Sequence, residues 1–177
     1  MLIYNIISIS VIGFNLYGIL VGLINKNYEL YYCMNFSLFL ERCIKHLTTD
    51  MNIFKRPEGA CGCGLFNEGG IISHKSGFPS GHMTMTSVFM NKLLQMHNRE
   101  NDVKYIILYN IPCVLMGISR YAKLCHSIDQ IMAGYLLGYI ISRYIKGKRK
   151  ITEYVSVETS YGTTENVIKT NEMTPLK

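Results

Sequence analysis

An all-α bundle of about five membrane-embedded helices is the fold class predicted for this chain of 177 residues. Three observations predict it. Hydrophobic residues make up 49% of the chain and charged ones only 17%, well under the roughly 25% of an average soluble domain. Residues 1–25 carry no charge, and at about 1.5 Å per residue such a run crosses a hydrocarbon core about 30 Å thick. Four further apolar stretches of helical length follow, all before residue 145. The same composition excludes a disordered or collagen-like chain, because 13 Tyr and 7 Phe supply core material and the 15 Gly have no three-residue period.

The first element, residues 1–25, lacks the basic start and small-residue cleavage site of a secretory signal and is read as a retained span. The second begins with the charge-free stretch 30–40 and continues amphipathically through 41–47, a helix of about 18 residues with one polar end. The third, 83–96, holds a single Lys92, and the fourth and fifth, 105–119 and 131–142, hold no charge. Each of these last three is shorter than the usual span of about 20 residues, so the bilayer assignment rests on their number. Residues 1–145 are thus one membrane-embedded domain. Residues 146–177 are rich in Lys, Glu, Thr, Ser and Asn, and are expected to be a disordered polar tail.

Arg143, Lys146, Lys148, Arg149 and Lys150 follow the last apolar stretch, which places the tail in the cytosol. Alternating back through a multi-pass integral membrane protein puts 97–104 inside and puts 42–81 and 120–126 on the extracytosolic or lumenal face. The net charge of +6 comes with no nucleic-acid module, so membrane lipids are the expected surroundings and nucleic acid is not an expected partner.

Three polar stretches lie at the outer ends of these helices: Lys55-Arg56-Pro57, then Pro79-Ser80-Gly81-His82, then Ser119-Arg120 with His126 six residues after the arginine. Ionisable groups at membrane depth are costly and mark function. Together they offer two guanidinium forks for phosphate oxygens, a Ser-Gly turn opening a helix, and two histidines. That is equipment for phosphoryl transfer, in which one histidine attacks phosphorus and the other protonates the leaving oxygen. The chemistry calls for no metal or other cofactor.

In this order the three stretches resemble the three-part signature of the type 2 phosphatidic acid phosphatase superfamily, which includes polyprenyl pyrophosphate phosphatases, glucose-6-phosphatases and vanadium haloperoxidases. The resemblance covers residues 45–138. It implies that His126 is the nucleophile of a phosphohistidine intermediate and His82 the acid for the leaving group. It further implies that Arg56 and Arg120 bind phosphate with the Ser80 and Gly81 cradle. Substrates implied are a lipid phosphate such as phosphatidic acid or a polyprenyl or dolichyl pyrophosphate. The haloperoxidase reading fits poorly, since those relatives are large and soluble.

The chain departs from the family pattern twice. The lysine expected seven residues before Arg56 is replaced by Thr49. Lys45, one helical turn earlier on nearly the same face, is the preferred substitute, and Lys55 is the competing donor. The acid expected four residues after His126 is replaced by Gln130, with Asp129 one residue early. Gln130 accepts a histidine proton through its amide oxygen and resembles the dolichyl pyrophosphate phosphatase branch, while Asp129 remains a candidate. Both departures motivate one alternative, a non-catalytic lipid-binding protein on the same scaffold. A second, a phosphatase of a soluble ester such as a sugar phosphate, stands beside it should neither lipid be a substrate.

Six cysteines stand at 33, 43, 61, 63, 113 and 125. A disulfide from Cys61 or Cys63 to Cys43 or Cys125 suits an oxidising lumen, whereas zinc spacing is absent. The glycines of 59–64 and 68–70 read as a flexible linker able to act as a lid, with no P-loop signature.

Overall fold

The structure is a computed structural model and describes residues 2–64, 70–145, 150–158 and 164–172. The chain divides into two compact units, residues 1–145 and 146–177.

The first unit is helical: α1 (Leu2–Asn25), α2 (Glu29–Leu47), α3 (Gly81–Met96), α4 (Val103–Ala122) and α5 (Ile128–Tyr144). The five expected helices are all present. Two of them start earlier than their apolar runs because polar residues cap them. The Asp102 carboxylate accepts the Lys104 N–H at 3.1 Å and the Ser127 hydroxyl accepts that of Gln130 at 3.5 Å. Among the described helices, α1 alone is long and apolar enough to cross a membrane by itself. Large apolar side chains nevertheless line the outside of the shorter helices, among them Ile107, Ile111, Val114 and Ile118 of α4.

The central element is α3, packed against α5, α4 and α2. Its closest neighbour is α5, because Gly134 and Gly138 bring the two backbones together. A Cβ at Gly134 would lie 2.6 Å from the Ser80 carbonyl, and one at Gly138 2.5 Å from that of Thr84. Small residues four apart permit such an approach. Val11, Met34, Met85, Val88, Met116, Ile131 and Ile141 fill the interior, with Phe14 of α1 stacked on Phe89 of α3 at 4.3 Å.

Helix α2 buries Leu30, Cys33, Met34, Ser37 and Glu41, a stripe of helical period that runs from apolar residues to a carboxylate. Near the start of α2, Lys92 of α3 is buried and pairs with Glu29 at 2.6 Å. The same ammonium donates to Gln95 Oε1 and to the Ile145 carbonyl, which ends α5.

The second unit differs from the disorder expected of residues 146–177. Strands β1 (Lys150–Glu158) and β2 (Thr164–Glu172) pair antiparallel, with Val155 opposite Val167 and Tyr154 opposite Ile168. Ile151, Val155 and Val157 favour a strand, a local signal that the polar average of the segment hides. The basic residues Lys146, Lys148 and Arg149 lie outside the described residues.

Candidate active site

A cavity of about 310 Å³ opens where α1, α2 and the start of α3 meet two connections. Val11, Ile12, Leu38 and Met85 give it an apolar side. Glu41, Arg42, Lys45, Arg56, Gly81, His82 and His126 give it a polar one. These polar residues come from positions 41 to 126 and meet because α3 sits between α2 and α5.

His126, in the connection between α4 and α5, is 2% exposed. Its Nδ1 faces the Gly77 carbonyl at 2.9 Å and Gln130 Oε1 at 3.2 Å. A carbonyl only accepts, so Nδ1 carries the proton and Nε2 presents the lone pair. The orientation of the Gln130 amide is set independently, because its Nε2 donates to the carbonyls of Phe54 at 3.2 Å and Lys55 at 2.8 Å. The imidazole is thereby held with Nε2 toward Arg56, whose Nη1 lies 3.3 Å away. Burial, and then the charges of Arg56, Arg120 and Lys45, hold the His126 imidazole well below the usual histidine range. The ring is therefore held in its neutral form, with the lone pair on Nε2.

Gln130, and not Asp129, makes the bond to His126. Asp129 is exposed in the first turn of α5 and points off the buried face, one residue and about 100° from Gln130. Likewise Lys45 lines the cavity, while Lys55 is exposed, does not line it, and has its backbone bridged to Ser76. Glu41 forms an ion pair with Lys45 one turn away.

Arg120 is fully buried and stands behind the cavity wall, where its Nη1 donates to Ser8 Oγ at 3.1 Å and its Nη2 to the Cys63 carbonyl at 2.7 Å. Ser80, the residue before α3, is also fully buried, and its N–H donates to the Gln130 carbonyl at 2.9 Å. Neither contributes to the cavity lining as it stands. Among the described residues, four buried side-chain atoms have no hydrogen-bond partner: Arg56 Nε, Ser80 Oγ, His82 Nε2 and Arg120 Nε. Each belongs to one of the three polar stretches. Buried polar atoms are rarely left without a partner, so their convergence points to a ligand rich in acceptor oxygens.

Three contributors escaped the sequence reading. Gly77 supplies the carbonyl for His126, and a Cβ there would collide with the Gln130 amide and come within 2.9 Å of Arg56 Cγ. Ser8 reaches Arg120 from α1, with no signal in the sequence to announce it. Glu41 did leave one, an acid four residues before Lys45 at the end of a largely apolar stripe. The expected flexible linker is also corrected in its described part. Ala60 and Cys63 are buried, and a disulfide joins Cys63 to Cys125, leaving Cys61 and Cys43 free. Residues 65–69 lie outside the described residues.

A family model described as the PAP2 superfamily matches residues 30–150, more than half of the chain. No curated protein and no solved structure matches it.

Proposed function

The chain belongs to the PAP2 superfamily, a family of phosphatases acting on phosphate esters. On that premise we propose that it is a multi-pass membrane enzyme hydrolysing lipid phosphate monoesters or pyrophosphates, phosphatidic acid or a polyprenyl pyrophosphate, without a metal. The observation that carries the proposal is the set of four unpartnered polar atoms, drawn from all three stretches, two of them on Arg56 and His82, which line the cavity together with His126.

His126 Nε2 attacks phosphorus as the bond to the leaving oxygen breaks, and His82 gives that oxygen its proton. The phosphorylated ring keeps its Nδ1 proton on the Gly77 carbonyl and Gln130 Oε1, which stabilise the positive charge it acquires. Water then attacks the phosphohistidine, passes a proton to His82 and releases phosphate, restoring both histidines. Arg56, Lys45, Ser80 and the Gly81 amide neutralise charge on the equatorial oxygens, with Arg120 completing the cradle from behind. The apolar side of the cavity suits the first part of a lipid tail. The exposed apolar faces of α1 and α4 support an embedding in lipid, with the site toward the extracytosolic face and the tail in the cytosol.

The test is phosphate release by detergent-purified protein in EDTA from phosphatidic acid and from a polyprenyl pyrophosphate, beside His126→Ala. Release that disappears with His126 is expected. Equal release from both proteins removes His126 as nucleophile. No release from either lipid, in folded protein, moves the reading to a soluble phosphate ester or to lipid binding without catalysis.

A further inference from the structure

The bond between Cys63 and Cys125 spans 62 positions and joins the segment between α2 and α3 to the connection between α4 and α5. Both residues are buried. Their main-chain carbonyls are the acceptors for the two arginines of the site, in a crossed arrangement. Arg56, from the first stretch, donates to the Cys125 carbonyl at 2.8 Å, and Arg120, from the third, donates to the Cys63 carbonyl at 2.7 Å. His126 is the residue after Cys125. One covalent link therefore sits between the two carbonyls that aim the guanidinium groups and directly before the histidine between them.

The segment is also tied across at its two ends, by Gln130 Nε2 on the Phe54 and Lys55 carbonyls and by His126 Nδ1 on the Gly77 carbonyl. Among the described residues, however, the stretch around Cys63 has less to hold it. The pairing of Cys61 with Ile71, the Ile72 N–H on the Ala60 carbonyl and the bridge from Lys55 to Ser76 are internal to it. Lys123 Nζ reaches the Gly62 carbonyl at 3.4 Å from a partly exposed position. A guanidinium on a long side chain keeps its direction only when its acceptor is fixed. Arg56 and Arg120 each use terminal nitrogens on these carbonyls, which leaves Nε of each unpartnered at the site.

We propose that the Cys63–Cys125 disulfide is a positioning element of the active site, holding Arg56, Arg120 and His126 in mutual register, so that the protein is competent only in its oxidised form. It follows that the site works on the side of a membrane where thiols are oxidised. The catalytic part of this inference rests on the phosphatase reading above; the part concerning oxyanion binding does not.

Alkylation of never-reduced, denatured protein should label four of the six cysteines; labelling of all six overturns the proposal. The Cys63→Ala/Cys125→Ala variant should keep its helical circular dichroism, lose thermal protection by orthovanadate or inorganic phosphate, and fall about 100-fold in kcat/KM, mostly in kcat. Cys61→Ala should match the parent in all three. A double variant with the parent's kcat and oxyanion protection refutes the proposal. Should the double variant fail to fold, the parent is treated with a water-soluble phosphine, which takes oxygen from water as the disulfide opens to two thiols. Activity should then fall in step with the thiols released and return on reoxidation, and unchanged activity with both thiols free refutes the proposal. A parent that is protected by orthovanadate yet hydrolyses nothing refutes the phosphatase reading alone, and the disulfide is then judged by whether its loss abolishes protection.

Discussion

Two lysine–glutamate pairs mark the two ends of α2, and they are built differently. At the start of the helix, Lys92 and Glu29 pair at 2.6 Å, and the ammonium has two further acceptors in Gln95 and the Ile145 carbonyl. That is a full complement for three N–H donors. At the far end, Glu41 pairs with Lys45 beside Arg42, Arg56 and two histidines, and it is the only acid among the described residues lining the cavity. Of the four unpartnered atoms among the described residues, those of Arg56 and His82 belong to the cavity lining there, and none belongs to Lys92 or its partners. The first end balances its charges within the protein and serves the fold. The second, among the described residues, sets one acid against several cations, and it is the end assigned to a ligand in the proposal above.

Exchanging perturbations between the two ends tests that contrast. Arg56→Ala should lower kcat/KM by about 10²- to 10³-fold, the scale of losing one preorganised charge donor, and should leave the melting temperature close to the parent's. Lys92→Met should do the reverse, costing about 3 kcal/mol of stability with kcat per folded molecule unchanged. That figure is the low end for breaking a buried pair, because the Glu29 side chain is 23% exposed. Denaturation and phosphate release measured on both variants decide the matter. A large loss of stability in the first, or of turnover in the second, erases the distinction.

A smaller effect concerns pH. His126 is held below the usual histidine range by burial and by the neighbouring cations, so the acid limb of kcat/KM in the free enzyme should lie below pH 6.5. Between the folded and unfolded values only the unfolded chain binds this proton. The contribution of His126 to stability is therefore complete above about pH 6.5 and is lost as pH falls through that window. Gln130→Glu places a carboxylate against Nδ1 and should move the limb upward. A limb that stays in place shows that residue 130 does not act through His126.

The smallest expected change is in Glu41→Gln. Removing the acid from a cationic cavity should strengthen binding of an anionic substrate about fivefold, the equivalent of about 1 kcal/mol of Coulomb energy, and should appear in KM. Weaker binding shows instead that Glu41 is needed to hold Lys45 in place.

Much of the helical unit was legible in the chain because its signals are local. Absence of charge over 25 residues and the amphipathic continuation through 41–47 at the end of α2 each act within a few turns, whereas the caps at Asp102 and Ser127, which start two helices earlier than expected, were not read. The candidate residues Arg56, Ser80, Gly81, His82, Arg120 and His126 were legible as well, since phosphate chemistry needs those side-chain types and they recur in one order. The two strands of 150–172 were missed because averaging over a polar segment buried a β-branched pattern.

The sequence by itself determined which helices form and which polar residues stand at their ends. Only the tertiary structure shows that Lys45 and not Lys55 lines the cavity, that Gln130 and not Asp129 bonds to His126, and that Cys63 pairs with Cys125. It also brought in Gly77, Ser8 and Glu41. The Cys63–Cys125 pairing and the contacts of Gly77 and Ser8 join residues tens of positions apart, whereas Gln130 meets His126, and Glu41 meets Lys45, across one helical turn whose buried face only packing selects. Periodicity fixes the face on which a residue lies; packing decides what meets it there.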